Sequence, residues 1–384
     1  MDSSLYPKNL KNNIQSLGYV TFAALILVIM LGFLIRFTLP FISGLVWFST
    51  DTYDYINMAD AIIAGHPIAK FPNGLPLLIA IIKIFVKPEL MPKVLIFINV
   101  ILSTSIIWMA ALITTKITNK KFIGIITALI VSLYPNQINY TRFILSEVPA
   151  CFLLTLSIFL FLKKNFFLSG FILFLATFFR SDLLLVFPLL FAISLYFLCK
   201  NDKIAKAFYF CTGYMLGILF SFMLLNYGVI ASTNRYGLEI LKSLNADSLK
   251  EEYPSIANFK EDEKLHPIRT YIQFILNNPT TYLKQRLFAL ENMWGWPLAS
   301  NRNLIAKILI AIRFPIFILG IIGFWKYRNN FDAWVLFIPI LALSIIHVAT
   351  YSSPRYTFTV EPLLICLASI SLSKRQLINE SIRG

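Results

Sequence analysis

Apolar stretches near the length of a bilayer crossing recur along this chain, and nothing else constrains its fold as strongly. They fall at roughly 18–42, 91–115, 121–135, 143–162, 166–179, 183–199, 204–227, 303–325, 331–351 and 357–372 of its 384 residues. A crossing helix needs about 20 mostly apolar residues. Helices satisfy their own backbone groups, as lipid requires. With 58% hydrophobic residues, the chain reads as an all-α polytopic membrane protein. The formal charge of +15 would suit nucleic acid. Most basic residues, however, sit in short loops beside apolar runs, where they set topology, so no nucleic acid is expected as a partner. Cys151, Cys199, Cys211 and Cys366 lie in or beside apolar runs without metal-ligand spacing, and read as small buried residues.

One further run, Gly74 to Val86, decides the topology. If it is excluded as a span and the N-terminus is placed inside, the cytoplasmic loops hold Lys116, Lys120 and Lys121, then Lys163 and Lys164. Next come Lys200, Lys203 and Lys206, then Lys326 and Arg328, and the tail holds Lys374, Arg375 and Arg383. Counting it as a span would move those four internal clusters and the tail outside, against the positive-inside bias. The expectation is therefore about ten transmembrane helices with both termini cytoplasmic. The first is an uncleaved span behind Lys8 and Lys11, and 74–86 is an interfacial helix in the first external loop. Three regions follow: 1–227, a transmembrane module with an external loop at 43–90; 228–302, an external helical loop; and 303–384, the last transmembrane helices. In the second, helical patterning spans 237–250 and 268–290, with a break at Asn278-Pro279, and Trp294 with Trp296 reads as a membrane anchor.

This topology gathers Asp51, Asp54, Glu147, Arg180, Asp182 and Arg355 at the external end of the runs. Ionisable residues at the membrane edge are functional candidates by default. The run Phe166–Phe179 has 14 residues, about 21 Å of helix against a hydrocarbon core of about 30 Å. The turn Arg180-Ser181-Asp182 is thus expected below the outer surface, enclosed by protein. Asp51, Tyr55 and Ala59 recur every four residues and share one helix face. Asp51 lies near that helix's start, where a capping role is the plain alternative.

Taken in order, these segments resemble the GT-C superfamily of polyprenyl-phosphate-sugar-dependent glycosyltransferases, which includes protein O-mannosyltransferases and lipid A aminoarabinose transferases. The resemblance rests on the D-x-x-x-Y-x-x-x-A helix at Asp51 and the P-x-G-x-P-L-L stretch from Pro72. It continues with Arg142-Phe-Ile-Leu-Ser-Glu147, Arg180-Ser-Asp182 followed by Pro188, Asn278-Pro279-x-x-Tyr282-Leu283 before Trp294, and Arg355-Tyr356. It covers nearly the whole chain. One departure is that Asp51 is followed by Thr52 instead of a second acidic residue, so either Asp54 or Glu147 supplies the other carboxylate. The large C-terminal soluble domain of some relatives is also lacking.

The resemblance implies a plasma-membrane enzyme of the cell envelope that moves a hexosyl or pentosyl group from a polyprenyl-phosphate donor to a glycan, lipid or protein acceptor, outside the cytoplasm and with inversion. Asp51 is then the catalytic base. Lys70, Arg180 and Arg355 are candidates to hold the donor phosphate, since guanidinium forks bond two oxygens. Tyr55, Arg142, Asp182 and Tyr356 are supporting residues. Plainer roles stand beside these: Arg180 pairing with Asp182, Glu147 as a first-turn carboxylate, Arg142 snorkelling, Lys70 as an interfacial anchor and Tyr356 as an interface aromatic. His66 and His347 read as structural. No ligand cluster demands a metal, although scattered carboxylates leave a divalent cation open as cofactor. Competing functions are a lipid-linked glycan flippase or transporter, an O-antigen ligase or polymerase, and a non-catalytic assembly subunit. No convincing internal repeat speaks for a transporter.

Overall fold

The computed structural model describes residues 8–42, 44, 48–68, 70–199, 204–230, 267–294, 304–349 and 354–373. The expected helix at 237–250, Trp296, Lys200, Lys203 and the tail cations lie outside these residues. Among the described residues the regular elements are all helices. Four of them are long and apolar enough to cross a bilayer: Tyr19–Phe41 within α1 (Lys8–Phe41), α4 (Met91–Thr118), α10 (Ala205–Asn226) and α14 (Phe331–Ala349). This is the build of a polytopic membrane protein.

The first loop carries two short helices, α2 (Thr50–Ile63) and α3 (Gly74–Phe85), which pack on each other. At 12 residues, α3 is about 18 Å long. It buries Leu75, Ile79 and Ala80 and leaves Ile84 and Phe85 exposed.

The next apolar run departs from the expected single span. Helix α5 (Lys121–Leu133) stops at Tyr134-Pro135, and α6 (Pro135–Asn139) continues through a 3-10 turn at Tyr140–Arg142, bent by 54° from α5. The cause is Pro135, which has no N–H to give the Val131 carbonyl four residues back. Arg36 of α1 fills that role. Its Nη2 donates to Val131 O at 2.9 Å, its Nη1 to Ser132 O at 2.9 Å, and its Nε to Ser103 Oγ at 2.8 Å. Arg36 is fully buried.

The remaining helices are α7 (Glu147–Leu162), α8 (Phe166–Phe179), α9 (Val186–Cys199), α11 (Pro267–Asn277), α12 (Pro279–Trp294), α13 (Leu304–Tyr327) and α15 (Glu361–Ser371). A 3-10 turn at Ser181–Leu185 leads into α9, and another at Pro354–Val360 leads into α15. Helix α8 occupies the expected 14 residues, and the break falls at Asn278 as expected. Helices α8 and α10 approach through glycines. A Cβ at Gly170 would stand 2.0 Å from Phe210 O, and one at Gly213 1.9 Å from Phe167 O. Small residues permit such close approach of apolar helices. Trp294 is not an exposed anchor: it is buried, stacks on Phe317 at 4.8 Å, and donates from Nε1 to Ser344 Oγ at 3.1 Å. Cys151 and Cys366 are buried and unbridged.

The bundle has two ends of different chemistry. Lys116, near the close of α4, lies 3.8 Å from Asp332 at the start of α14. At the far end of α14, His347 meets Asp182 at 2.9 Å. His347 lies fifteen positions beyond Asp332 along α14, about 22 Å.

Candidate functional site

The site is assembled at the His347 end of the bundle, starting from the first turn of α2. Ser49 is the N-cap: Thr52 N donates to Ser49 Oγ at 3.2 Å, and Ser49 N donates to Thr52 Oγ1 at 3.1 Å. The capping role is thus taken by Ser49, and Asp51 stands in the first turn with its side chain 28% exposed. Thr52 Oγ1 also donates to Ile144 O at 3.1 Å, and the Tyr55 hydroxyl lies 3.3 Å from Ser146 Oγ. These two contacts seat the start of α2 against the start of α7, where Glu147 is the first helical residue.

Arg355, in the 3-10 turn before α15, bridges the two acidic groups. Its Nη1 donates to Asp51 Oδ2 at 2.7 Å, and its Nε donates to Glu147 Oε1. Arg180, at the C-cap of α8, reaches the same Glu147 oxygen from Nη1 at 3.2 Å. It also grips Asp182, with Nε to Oδ1 at 3.1 Å and Nη2 to Oδ2 at 2.5 Å. His347 Nε2 lies 2.9 Å from Asp182 Oδ2, and its ring stacks on Tyr356 with centroids 4.2 Å apart. The Arg180 guanidinium carbon sits 5.4 Å from the Tyr356 ring centroid. In sum, three carboxylates face two guanidiniums.

Burial is graded across this cluster. Glu147 is fully enclosed, and the side chains of Arg180 and Asp182 are 9% and 13% exposed. Arg355 and Asp51 form the open edge, at 32% and 28%. Glu147 Oε2 is buried with no hydrogen-bond partner among the described residues. For Arg355, burial alone would pull the guanidinium down. Glu147 and Asp51 more than offset this and hold it above its usual value. Burial, then Glu147, pushes the Tyr55 phenol above its usual value.

Of the two carboxylates left open by the sequence, the structure brings Glu147 to Arg355. Glu147, not Asp54, shares Arg355 with Asp51. Asp54 pairs instead with Lys70 at 2.6 Å, in a contact whose lysine is 49% exposed. Lys70 is therefore engaged with Asp54. Arg142 lies at the end of its 3-10 turn with its guanidinium 5.6 Å from the Phe143 ring centroid. Arg180 and Asp182 do pair, yet Arg180 also serves Glu147, so the local pair and the shared site coexist. Tyr356, read as an interface aromatic, lies between His347 and Arg180.

Sequence reasoning set His347 aside as structural, because a lone histidine late in an apolar run gives no sign of the Asp182 it meets. It also passed over a second network. Glu361, fully buried, accepts from Asn136 Nδ2 at 2.8 Å, Thr357 Oγ1 at 3.2 Å and Arg313 Nη2 at 3.2 Å. Gln137 Nε2 donates to Phe358 O at 3.2 Å. This network fixes the 3-10 turn that carries Arg355 to the α6 segment and α13. The available signal was Arg313 and Glu361 standing inside or beside apolar runs, with Pro135 marking the break that turns Asn136 and Gln137 inward.

Neither a family model nor a curated protein matches this chain. Among the described residues, no group of three or more His, Cys, Asp or Glu side chains is arranged to hold a metal ion.

Proposed function

We propose that this chain is an integral membrane glycosyltransferase of the GT-C type, which moves a sugar from a polyprenyl-phosphate donor to an acceptor hydroxyl on the extracytoplasmic side. The observation that carries the reading is that Asp51 of the first loop, Glu147 and Arg180 converge through Arg355 at one end of an apolar helical bundle. The accompanying topology is about ten spans in the plasma membrane, with both termini cytoplasmic and the lysine-rich helix ends facing inward. The sequence motifs resembling that superfamily contribute all four of these residues, in the same order.

In this reading Asp51 takes the proton of the acceptor hydroxyl. The acceptor oxygen attacks the anomeric carbon as the bond from that carbon to the phosphate oxygen breaks. The bonding pair leaves on the phosphate, and the sugar is transferred with one inversion. Arg355 neutralises the departing phosphate, for which a guanidinium fork is suited. Arg180, held between Asp182 and Glu147, orients Glu147 and contributes a weaker share. Glu147, enclosed behind the two guanidiniums, holds Arg355 by its Nε. Lys70 with Asp54 serves as a loop contact for the donor headgroup.

The test is a proteoliposome assay with polyprenyl-phosphate sugars and an envelope extract as acceptor, read as release of polyprenyl phosphate. Release by the wild type and none by a folded Asp51→Asn supports the reading. Equal release by both removes Asp51 from the role of base and leaves Asp54 or Glu147 to supply it. No release from any donor by a folded protein overturns the transferase reading in favour of a transporter or an assembly subunit.

A further inference from the structure

We propose that the Asp51 carboxylate is the resting occupant of an oxyanion site on Arg355, and that a phosphate group binds there by displacing it. The inference rests on the transferase reading for the identity of its lipid ligand. The geometry that carries it concerns charge and exposure. Three carboxylates, on Asp51, Glu147 and Asp182, already surround the guanidiniums of Arg180 and Arg355. A phosphate added to that set would be repelled by its surroundings, so one carboxylate has to withdraw for the site to take an anion.

Only Asp51 is placed to do so. Glu147 is fully enclosed and shared by both guanidiniums. Asp182 is gripped by two Arg180 nitrogens and His347. Asp51 has one partner among the described residues, Arg355 Nη1 at 2.7 Å, and both side chains of that pair are about one-third exposed or slightly less, at 28% and 32%. The Asp51 oxygen occupies the place at Nη1 that a phosphate oxygen would take, while Glu147 keeps Nε. Because Ser49 caps α2, Asp51 can leave Arg355 without exposing the helix end.

The exchange couples binding to chemistry. While it accepts the Nη1–H bond, Asp51 Oδ2 is turned to Arg355 and not to an acceptor hydroxyl. Once a phosphate holds Arg355, that oxygen is released beside the newly bound donor. A base masked by its own phosphate-binding arginine is thus uncovered only when the donor is present, which limits idle reaction with water.

The experiment measures binding of polyprenyl phosphate in nanodiscs, and separately of inorganic phosphate, to the wild type, Asp51→Asn, Arg355→Ala and Asp60→Asn. Asp60 is on the same helix and pairs with Lys83 at 2.6 Å, so it controls for simple loss of a negative charge. The expected result is that Asp51→Asn holds the lipid phosphate about fivefold tighter or more, Asp60→Asn matches the wild type, and Arg355→Ala loses binding. Should Asp51→Asn fail to give a monodisperse protein, Asp51→Ser gives the same reading. Unchanged or weaker lipid-phosphate binding by Asp51→Asn overturns the exchange and leaves the donor reading standing. Tightening for inorganic phosphate equal to that for the lipid supports the exchange but makes free phosphate the ligand, against the lipid donor. No binding of either phosphate by any variant overturns both.

Discussion

Two arginine–carboxylate networks lie among the described residues of this bundle, and what separates them is access to water. In the inner one, Glu361 and Arg313 are 1% and 4% exposed, and Asn136 and Thr357 complete the shell around one carboxylate oxygen. In the outer one, Glu147 and Arg180 are as deeply buried, yet Arg355 and Asp51 form an open rim. Similar ion pairs thus serve different ends. An enclosed pair, closed off from water on both sides, holds segments together. A pair with an open rim can trade one partner for a ligand. The two are joined through the 3-10 turn Pro354–Val360, which leads into Glu361 and carries Arg355.

The sharpest way to break this contrast is to remove one side of the inner pair. Arg313→Met leaves Glu361 buried without its countercharge and is expected to cost about 3–5 kcal/mol of stability, read as thermal unfolding in detergent. Adding Glu361→Gln to that variant is expected to recover most of the loss. Equal losses for the single and double variants would show that the inner pair is not a charge-balanced unit.

Asp51→Asn is the counterpart on the open rim. Part-exposed ion pairs contribute about 0–1 kcal/mol, so unfolding should shift little, while transfer falls at least about a hundredfold if Asp51 is the base. A large stability loss there would place Asp51 in the structural class. His347→Ala is intermediate. It removes one hydrogen bond to Asp182 and a ring stack, for an expected loss of about 1–2 kcal/mol, with transfer reduced less than by Asp51→Asn. A loss of transfer matching that of Asp51→Asn would make the Asp182–His347 side of the cluster as important as its rim. The smallest effect is expected from Lys70→Ala, whose pair with Asp54 is half exposed. Stability should stay within about 0.5 kcal/mol, and the donor KM should rise only a few-fold. A collapse of transfer in Lys70→Ala would move the phosphate site from Arg355 to the loop.

Much of the outer site is legible in the sequence. The four-residue spacing of Asp51, Tyr55 and Ala59 gave a helix face, and that face is where α2 buries Tyr55 and Ala59. The short Phe166–Phe179 run put Arg180 and Asp182 at a recessed turn, and both are enclosed. The inner site was passed over for a physical reason. Asn136 and Gln137 look like ordinary loop residues unless a second helix is taken to restart at Pro135, at the end of the 121–135 run, with Arg36 supplying the hydrogen bond that the proline cannot. Trp294 was misjudged because an aromatic at the end of a helix suits both a membrane interface and a packed core.

The sequence alone determined that this chain is helical and apolar on a bilayer scale, and which helix ends carry acids and arginines. Those properties follow from composition and spacing along the chain. Only tertiary structure decided which carboxylate meets which guanidinium. Arg355 finds Glu147 across 208 residues and Asp51 across 304, and Asp54 turns to Lys70. Those choices depend on how whole helices pack and on where a broken helix points its polar side chains, and no local pattern encodes either.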